Sequence, residues 1–97
     1  AHGDALPGLD GWRVLETPGH GDDALCFHHE ESGILVTGDT VRNFLGGEWN
    51  PLVVDREGYR STRRLLGSLN VTTILPGHGP IIEGGLKALR PVPFYLP

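Results

Sequence analysis

The sequence holds a single cysteine, Cys26, among 97 residues. One thiol excludes an intrachain disulfide framework and suits a reducing, cytoplasmic compartment. Basic residues are also scarce: Lys and Arg number 8 against 12 Asp and Glu, for a net charge of −4. Contacts to phosphate backbones need clustered cations, so nucleic acid is not an expected partner. No run approaches the ~20 consecutive apolar residues that cross a bilayer, and no membrane role is expected. No basic-then-apolar leader opens the chain. The first residue is Ala1 rather than Met, as expected of a chain processed, tagged or cut from something longer. Apolar residues make up only 38%, low for a self-sufficient core. The length corresponds to one domain over residues 1–97, or a piece of one. Neither an internal repeat nor a low-complexity tract is present.

What the chain does have is organised around Gly33-Ile34-Leu35-Val36-Thr37-Gly38-Asp39-Thr40. Ile34 to Thr37 read as a short buried strand, and Gly38 frees the backbone to turn sharply. Asp39 then sits at the C-terminal end of that strand, where α/β folds place ligands and chemistry. Two other segments repeat the pattern with histidine. Thr17-Pro18-Gly19-His20 follows the strand-like Trp12–Glu16, and Leu75-Pro76-Gly77-His78-Gly79-Pro80 ends the strand-like Val71–Leu75. Ala24–His29 is a further expected strand, paired with Ile34–Thr37 as a hairpin. In it Leu25 and Phe27 share one face, Cys26 and His28 the other. Cys26 is expected to be a buried small hydrophobe, and His28 and His29 to lie on the solvent side.

Asp55 to Leu69 is the clearest helix, with Asp55 as N-cap and Glu57 in the first turn. Tyr59, Thr62, Leu66 and Leu69 fall on one helical face. Arg60, Arg63 and Arg64 point elsewhere, as a solvated outer face or an anion-binding group. Asn70 is expected to close the helix as a left-handed C-cap. Residues 1–11 and 91–97 are expected to be irregular, with Leu6 and Leu9 as anchors and His2 and Asp4 in a frayed end. Val41 to Asn50 resists assignment, and its Phe44, Leu45 and Trp49 either line a pocket or cover the sheet. Ile81 to Arg90 holds one short helical turn at most.

Histidine and aspartate are standard ligands of zinc and related divalent metals. A single histidine on a turn is usually structural or exposed. Two on near-identical Pro-Gly-His-Gly turns, with Gly-Asp-Thr between them, make a candidate metal set of His20, Asp39 and His78. The three segments, in order, strand context and separation, resemble the C-terminal motifs of the metallo-β-lactamase superfamily. The resemblance runs from about Trp12 to Pro80 and implies half of a four-layer αβ/βα sandwich: an α/β fold with one mostly antiparallel sheet and one main helix. It also implies that His20 binds a first metal, that His78 binds a second, and that Asp39 bridges both and serves catalysis. Zinc is the implied metal, one or two ions in the complete fold, with iron or manganese as alternatives. The implied activity is hydrolysis of a small ester, thioester, lactam or phosphoester by activated water.

The family's N-terminal half carries an HxHxDH motif that supplies the other ligands, and nothing in this sequence reads HxHxDH. His2-Gly3-Asp4 lacks the paired histidines and the following Asp-His. The chain is therefore expected to be the C-terminal half alone, nearly inactive by itself, or alternatively a non-catalytic half-domain that binds metal or a partner. One face of its sheet should be left open and apolar. A second copy in a two-fold dimer, or a separate N-terminal half, is expected to cover it.

Overall fold

Strict alternation of buried and accessible side chains runs through the central strands, and it decides which residues face the helix. The computed structural model describes residues 3–6, 8–19, 24–43, 46–50 and 55–89. In chain order these form strands β1 (Ala5–Leu6), β2 (Leu9–Glu16), β3 (Leu25–His29), β4 (Ile34–Gly38), β5 (Val41–Asn43) and β6 (Gly47–Trp49). Helix α1 (Arg56–Gly67), β7 (Thr73–Pro76), β8 (Ile82–Glu83) and a 3-10 turn at Leu86–Ala88 follow. Six strands make the main sheet in the order β1-β2-β3-β4-β7-β8, while β5 and β6 form a separate two-stranded sheet. All neighbours in the main sheet are antiparallel except β4 and β7. That parallel pair needs a long crossover, which the β5–β6 hairpin and α1 supply.

The register lines up Leu15 with Cys26, His28 with Leu35, and Leu35 with Ile74. These residues lie on the face that packs with Tyr59 and Leu66 of α1 and with Val41 and Trp49 of the hairpin. The other face carries the row Val14, Phe27, Val36, Leu75 and, beside it, Trp12, His29, Ile34. All seven remain partly accessible, and Leu25, at the end of the same face, is 43% exposed. A depression of about 440 Å3, lined by Leu9, Trp12, Phe27 and Val36, opens there. No helix among the described residues is long and apolar enough to cross a membrane.

Several expectations need correction. The segment expected to be irregular before Trp12 pairs instead: β1 runs antiparallel to β2, which starts at Leu9, and Val14 N–H donates to the Asp4 carbonyl at 2.9 Å. An extended edge offers its backbone groups to any segment that can reach them, whatever that segment's strand propensity. His28 is not on the solvent side; it is 4% exposed, and its Nε2 lies 2.7 Å from the Asn70 carbonyl oxygen. It shares the parity of Cys26, so burying one buries the other. His29 is half-buried against Trp12, ring centroids 5.2 Å apart, with Nδ1 on the Ser32 hydroxyl at 2.7 Å.

The helix starts as expected, with the Asp55 carboxylate accepting from Gly58 N–H at 2.9 Å. It ends earlier, at Gly67, with Ser68 as the cap at φ −87°. Asn70 is not a left-handed cap, since no non-glycine residue among those described has positive φ. Its amide instead donates to the Glu30 carbonyl at 2.8 Å, tying the segment before β7 to the β3–β4 turn. Tyr59, Thr62 and Leu66 are buried, and Leu69 packs against the core from beyond the helix end. Arg60, Arg63 and Arg64 are exposed, with the Arg63 guanidinium 5.2 Å from the Trp49 ring centroid. Trp49 itself is 3% exposed and belongs to the core. Phe44, Leu45, His2 and residues 91–97 lie outside the described residues.

Candidate metal centre

The site begins where β4 and β7 end side by side. Their parallel pairing runs from Ile34 and Thr73 to Gly38 and Pro76. Beyond it both chains turn, and Gly77 N–H donates to the Gly38 carbonyl at 2.7 Å. A Cβ on Gly77 would lie 2.5 Å from that carbonyl oxygen and 3.1 Å from Asp39 Oδ1, so this approach of two backbones requires glycine. The next residues are then forced together: Asp39 Oδ1 and His78 Nε2 are 3.1 Å apart, with the side chains 57% and 60% exposed.

Residues 17–19 are tied to the same place. Thr17 is buried, and its hydroxyl lies 3.3 Å from the hydroxyl of Thr40, next to Asp39. The Thr62 hydroxyl donates to the Pro18 carbonyl at 2.7 Å, and Asp55 N–H donates to the Gly19 carbonyl at 3.0 Å. Residues 17–19 are thus held between the Asp39 turn and the first turns of α1. His20 itself lies outside the described residues. Of the three expected ligands the structure therefore brings two into contact. Among the described residues no group of three or more His, Cys, Asp or Glu side chains is arranged to hold a metal.

The pair present fits a divalent ion. Bonds of about 2.0–2.2 Å to one oxygen and one nitrogen place those two atoms roughly 3 Å apart on a shared ion. The 3.1 Å separation of Asp39 Oδ1 and His78 Nε2 matches that spacing. A carboxylate oxygen with an imidazole nitrogen suits Zn2+, Fe2+ or Mn2+. Cys26 takes no part in this edge. It is fully buried beneath it, and its thiol donates to Thr17 Oγ1 at 3.3 Å. Burial pushes the thiol pKa up, only partly offset by the Thr17 and Thr40 hydroxyls, so it stays protonated and inert.

Residues beyond the ligand set also build the site. Thr17, Thr40 and Thr62 stitch the turns together, and the threonines beside Pro18 and Asp39 were visible in the motifs without an evident task. Gly79 matters as much as Gly77: at φ +89°, an added Cβ would overlap the backbone carbonyl of Asn43. Gly79→Ala is expected to cost more than the ~1–3 kcal/mol of a strained backbone conformation, since backbone cannot swing aside as a side chain can. It should displace His78 and weaken zinc binding while leaving the far-ultraviolet circular dichroism of the sheet in place. Calorimetric zinc titration of the variant checks this.

A family model described as the metallo-beta-lactamase superfamily matches residues 1–78. Among curated proteins, the chain is 33% identical to the probable metallo-hydrolase YqjP of Bacillus subtilis, over 79% of this chain and 27% of that protein. It is 39% identical to an atrochrysone carboxyl ACP thioesterase of Aspergillus fumigatus, over 73% of this chain and 21% of the relative. Thioesterase pkgB of Emericella nidulans is 40% identical over 72% of the chain and 19% of its own length. Among solved structures, the family protein TTHA1429 of Thermus thermophilus superposes with a TM-score of 0.66 at 27% identity, covering 91% of this chain and 31% of that one. TTHA1623, solved in a di-iron-bound form, gives a TM-score of 0.60 at 30% identity over 86% of this chain and 41% of its own. The chain spans about a fifth to a quarter of the length of the curated relatives it matches.

Proposed function

The chain belongs to the metallo-β-lactamase superfamily, and from that premise we propose that it forms the C-terminal ligand edge of a metal-dependent hydrolase acting on thioesters. Its relatives are hydrolases and thioesterases. The observation that carries the reading is the 3.1 Å approach of Asp39 Oδ1 to His78 Nε2 on two glycine turns. Asp39 and His78, with His20, would hold the metal. When bound, such an ion supplies Lewis acidity and a water of lowered pKa. The chain's own part is to present a carboxylate and an imidazole at fixed spacing, on an edge open to water and substrate. Zinc, iron and manganese all suit this donor pair, and one structural neighbour is described as di-iron-bound. Hydrolysis adds water across the C–S bond and releases a carboxylate and a thiol.

The test follows thiol release from a short acyl thioester, with the chain alone and with a separately produced HxHxDH-bearing half of a relative. Metal-dependent turnover is expected only in the mixture, and its loss is expected on Asp39→Asn. Robust turnover by the chain alone would show that an HxHxDH-bearing half is dispensable. No turnover in a mixture that does bind metal would oppose the thioester assignment.

The open sheet face favours a second element of the reading. Val14, Phe27, Val36 and Leu75 form an apolar row opposite α1, with Trp12 and Ile34 flanking His29 in the row beside it. Patches of this kind mark interfaces. In the isolated chain the proposed occupant is a second copy, which would use the same patch on both subunits about a two-fold axis. Sedimentation at micromolar concentration should give a dimer that Phe27→Asp dissociates. A folded monomer whose mass does not change with concentration would contradict it.

A further inference from the structure

The β5–β6 hairpin makes no ladder with the main sheet, yet it touches both ligand turns. At its base Asn50 follows β6; its N–H donates to the Thr40 carbonyl at 3.0 Å, and its side-chain amide donates to the Asp39 carbonyl at 2.8 Å. At its other end Asn43 N–H donates to the His78 carbonyl at 2.9 Å. The Asn43 side chain donates to the Pro80 carbonyl at 3.0 Å and accepts from Gly46 N–H at 3.1 Å, so it spans the hairpin turn and the His78 loop. Between these ends the hairpin is anchored as one body. Val41, paired with Trp49, is fully buried, and Trp49 meets Tyr59 of α1 edge-on at 6.1 Å between ring centroids.

We propose that this hairpin is the positioning element of the metal centre, with Asn43 and Asn50 as the residues that set the spacing of Asp39 and His78. The two loops leave the paired ends of β4 and β7, and among the described residues one further backbone bond, from Gly77 to Gly38, joins them beyond the ladder. A single hydrogen bond leaves a pivot, and a pivot does not fix the distance between side chains beyond it. The hairpin adds a second and a third attachment on the far side of that pivot, both to one rigid body. The bonds described for both asparagines go to main-chain groups of a ligand residue, its neighbour or the hairpin turn: Asn50 to the Asp39 and Thr40 carbonyls, Asn43 to the His78 and Pro80 carbonyls and from Gly46 N–H. Groups that orient ligands in this way typically change metal affinity 10–100-fold when lost.

The inference rests on the assignment of Asp39 and His78 as ligands, and the test separates the two. Asn43→Leu and Asn50→Leu keep side-chain volume and remove the amide. Zn2+ affinity by calorimetry and the visible spectrum of bound Co2+ are measured for the wild type, both variants, the double variant and His78→Ala. Both variants keep their backbone N–H bonds; Asn50→Leu loses the amide bond to the Asp39 carbonyl, and Asn43→Leu loses the side-chain bonds to the Pro80 carbonyl and from Gly46 N–H that hold the His78 loop to the hairpin turn. Positioning predicts a 10–100-fold loss of Zn2+ affinity in each single variant, an altered Co2+ spectrum, and a double variant at least as weak as the weaker single. Wild-type affinity and spectrum in folded Asn43→Leu and Asn50→Leu, alongside lost binding in His78→Ala, would overturn the positioning role alone. Unchanged binding in His78→Ala would overturn the ligand assignment beneath it. Asn43 is only half-buried, so Asn43→Leu decides the question if Asn50→Leu does not fold.

Discussion

Replacing His78 by alanine is expected to lower the affinity of the chain for Zn2+ by at least about a hundredfold, the upper end of what losing a group merely bonded to a ligand costs. Among the described residues, His78 and Asp39 are the donors placed within a shared-ion distance, so the loss of the imidazole leaves Asp39 without its partner there. Lone surface carboxylates hold divalent transition metals weakly. The fold should be indifferent to the change. His78 is 60% exposed, and exposed substitutions away from caps and special backbone positions usually fall within about 0.5 kcal/mol. Titration calorimetry and thermal melting of the same sample check both halves. A parallel fall in melting temperature and in affinity would mean that the imidazole holds the loop rather than the metal.

The largest stability effect is expected at Leu35. Its side chain is fully buried, between His28 on β3 and Ile74 on β7 in the register of the sheet. Leu35→Ala should cost about 2–5 kcal/mol, the transfer term plus the cavity left in a sheet that cannot collapse around it. Small domains have only about 5–15 kcal/mol in total, so the midpoint should drop by something on the order of 10–30 °C. Leu25→Ala is the control: at 43% exposure on the open face it should be close to neutral in the monomer. Chemical denaturation of the two variants reads the contrast directly, and equal losses would contradict the assignment of the two faces.

That assignment was largely readable from residue order. The parity of Cys26 against Phe27 and the apolar run Ile34–Val36 place the core face, because side chains alternate strictly along a strand. The same rule buries His28 with Cys26, and its polar ring obscured this until the Asn70 carbonyl was seen to satisfy it. Asp55 and the Tyr59, Thr62, Leu66 spacing located α1, whereas its end did not depend on Asn70 because Ser68 caps it with its own hydroxyl on the Leu65 carbonyl at 2.6 Å. The β1–β2 pairing was not legible, since it depends on the unpaired edge of β2 rather than on the propensity of Ala5 and Leu6. The motifs pointed to His20, Asp39 and His78 as a metal set, and the glycines between strand and turn explain the approach of Asp39 and His78. Asn43 and Asn50 lay in the stretch that resisted assignment. Their roles come from long-range hydrogen bonds to backbone carbonyls, which leave no periodic trace in a sequence.

The most direct measurement is anomalous X-ray scattering from crystals of the chain grown with Zn2+ or Fe2+. The account predicts one ion at about 2.0–2.2 Å from both Asp39 Oδ1 and His78 Nε2, with the hairpin bonds of Asn43 and Asn50 intact. An ion bound elsewhere, or an Asp39–His78 pair still in direct contact with no ion beside it at millimolar metal, would contradict it.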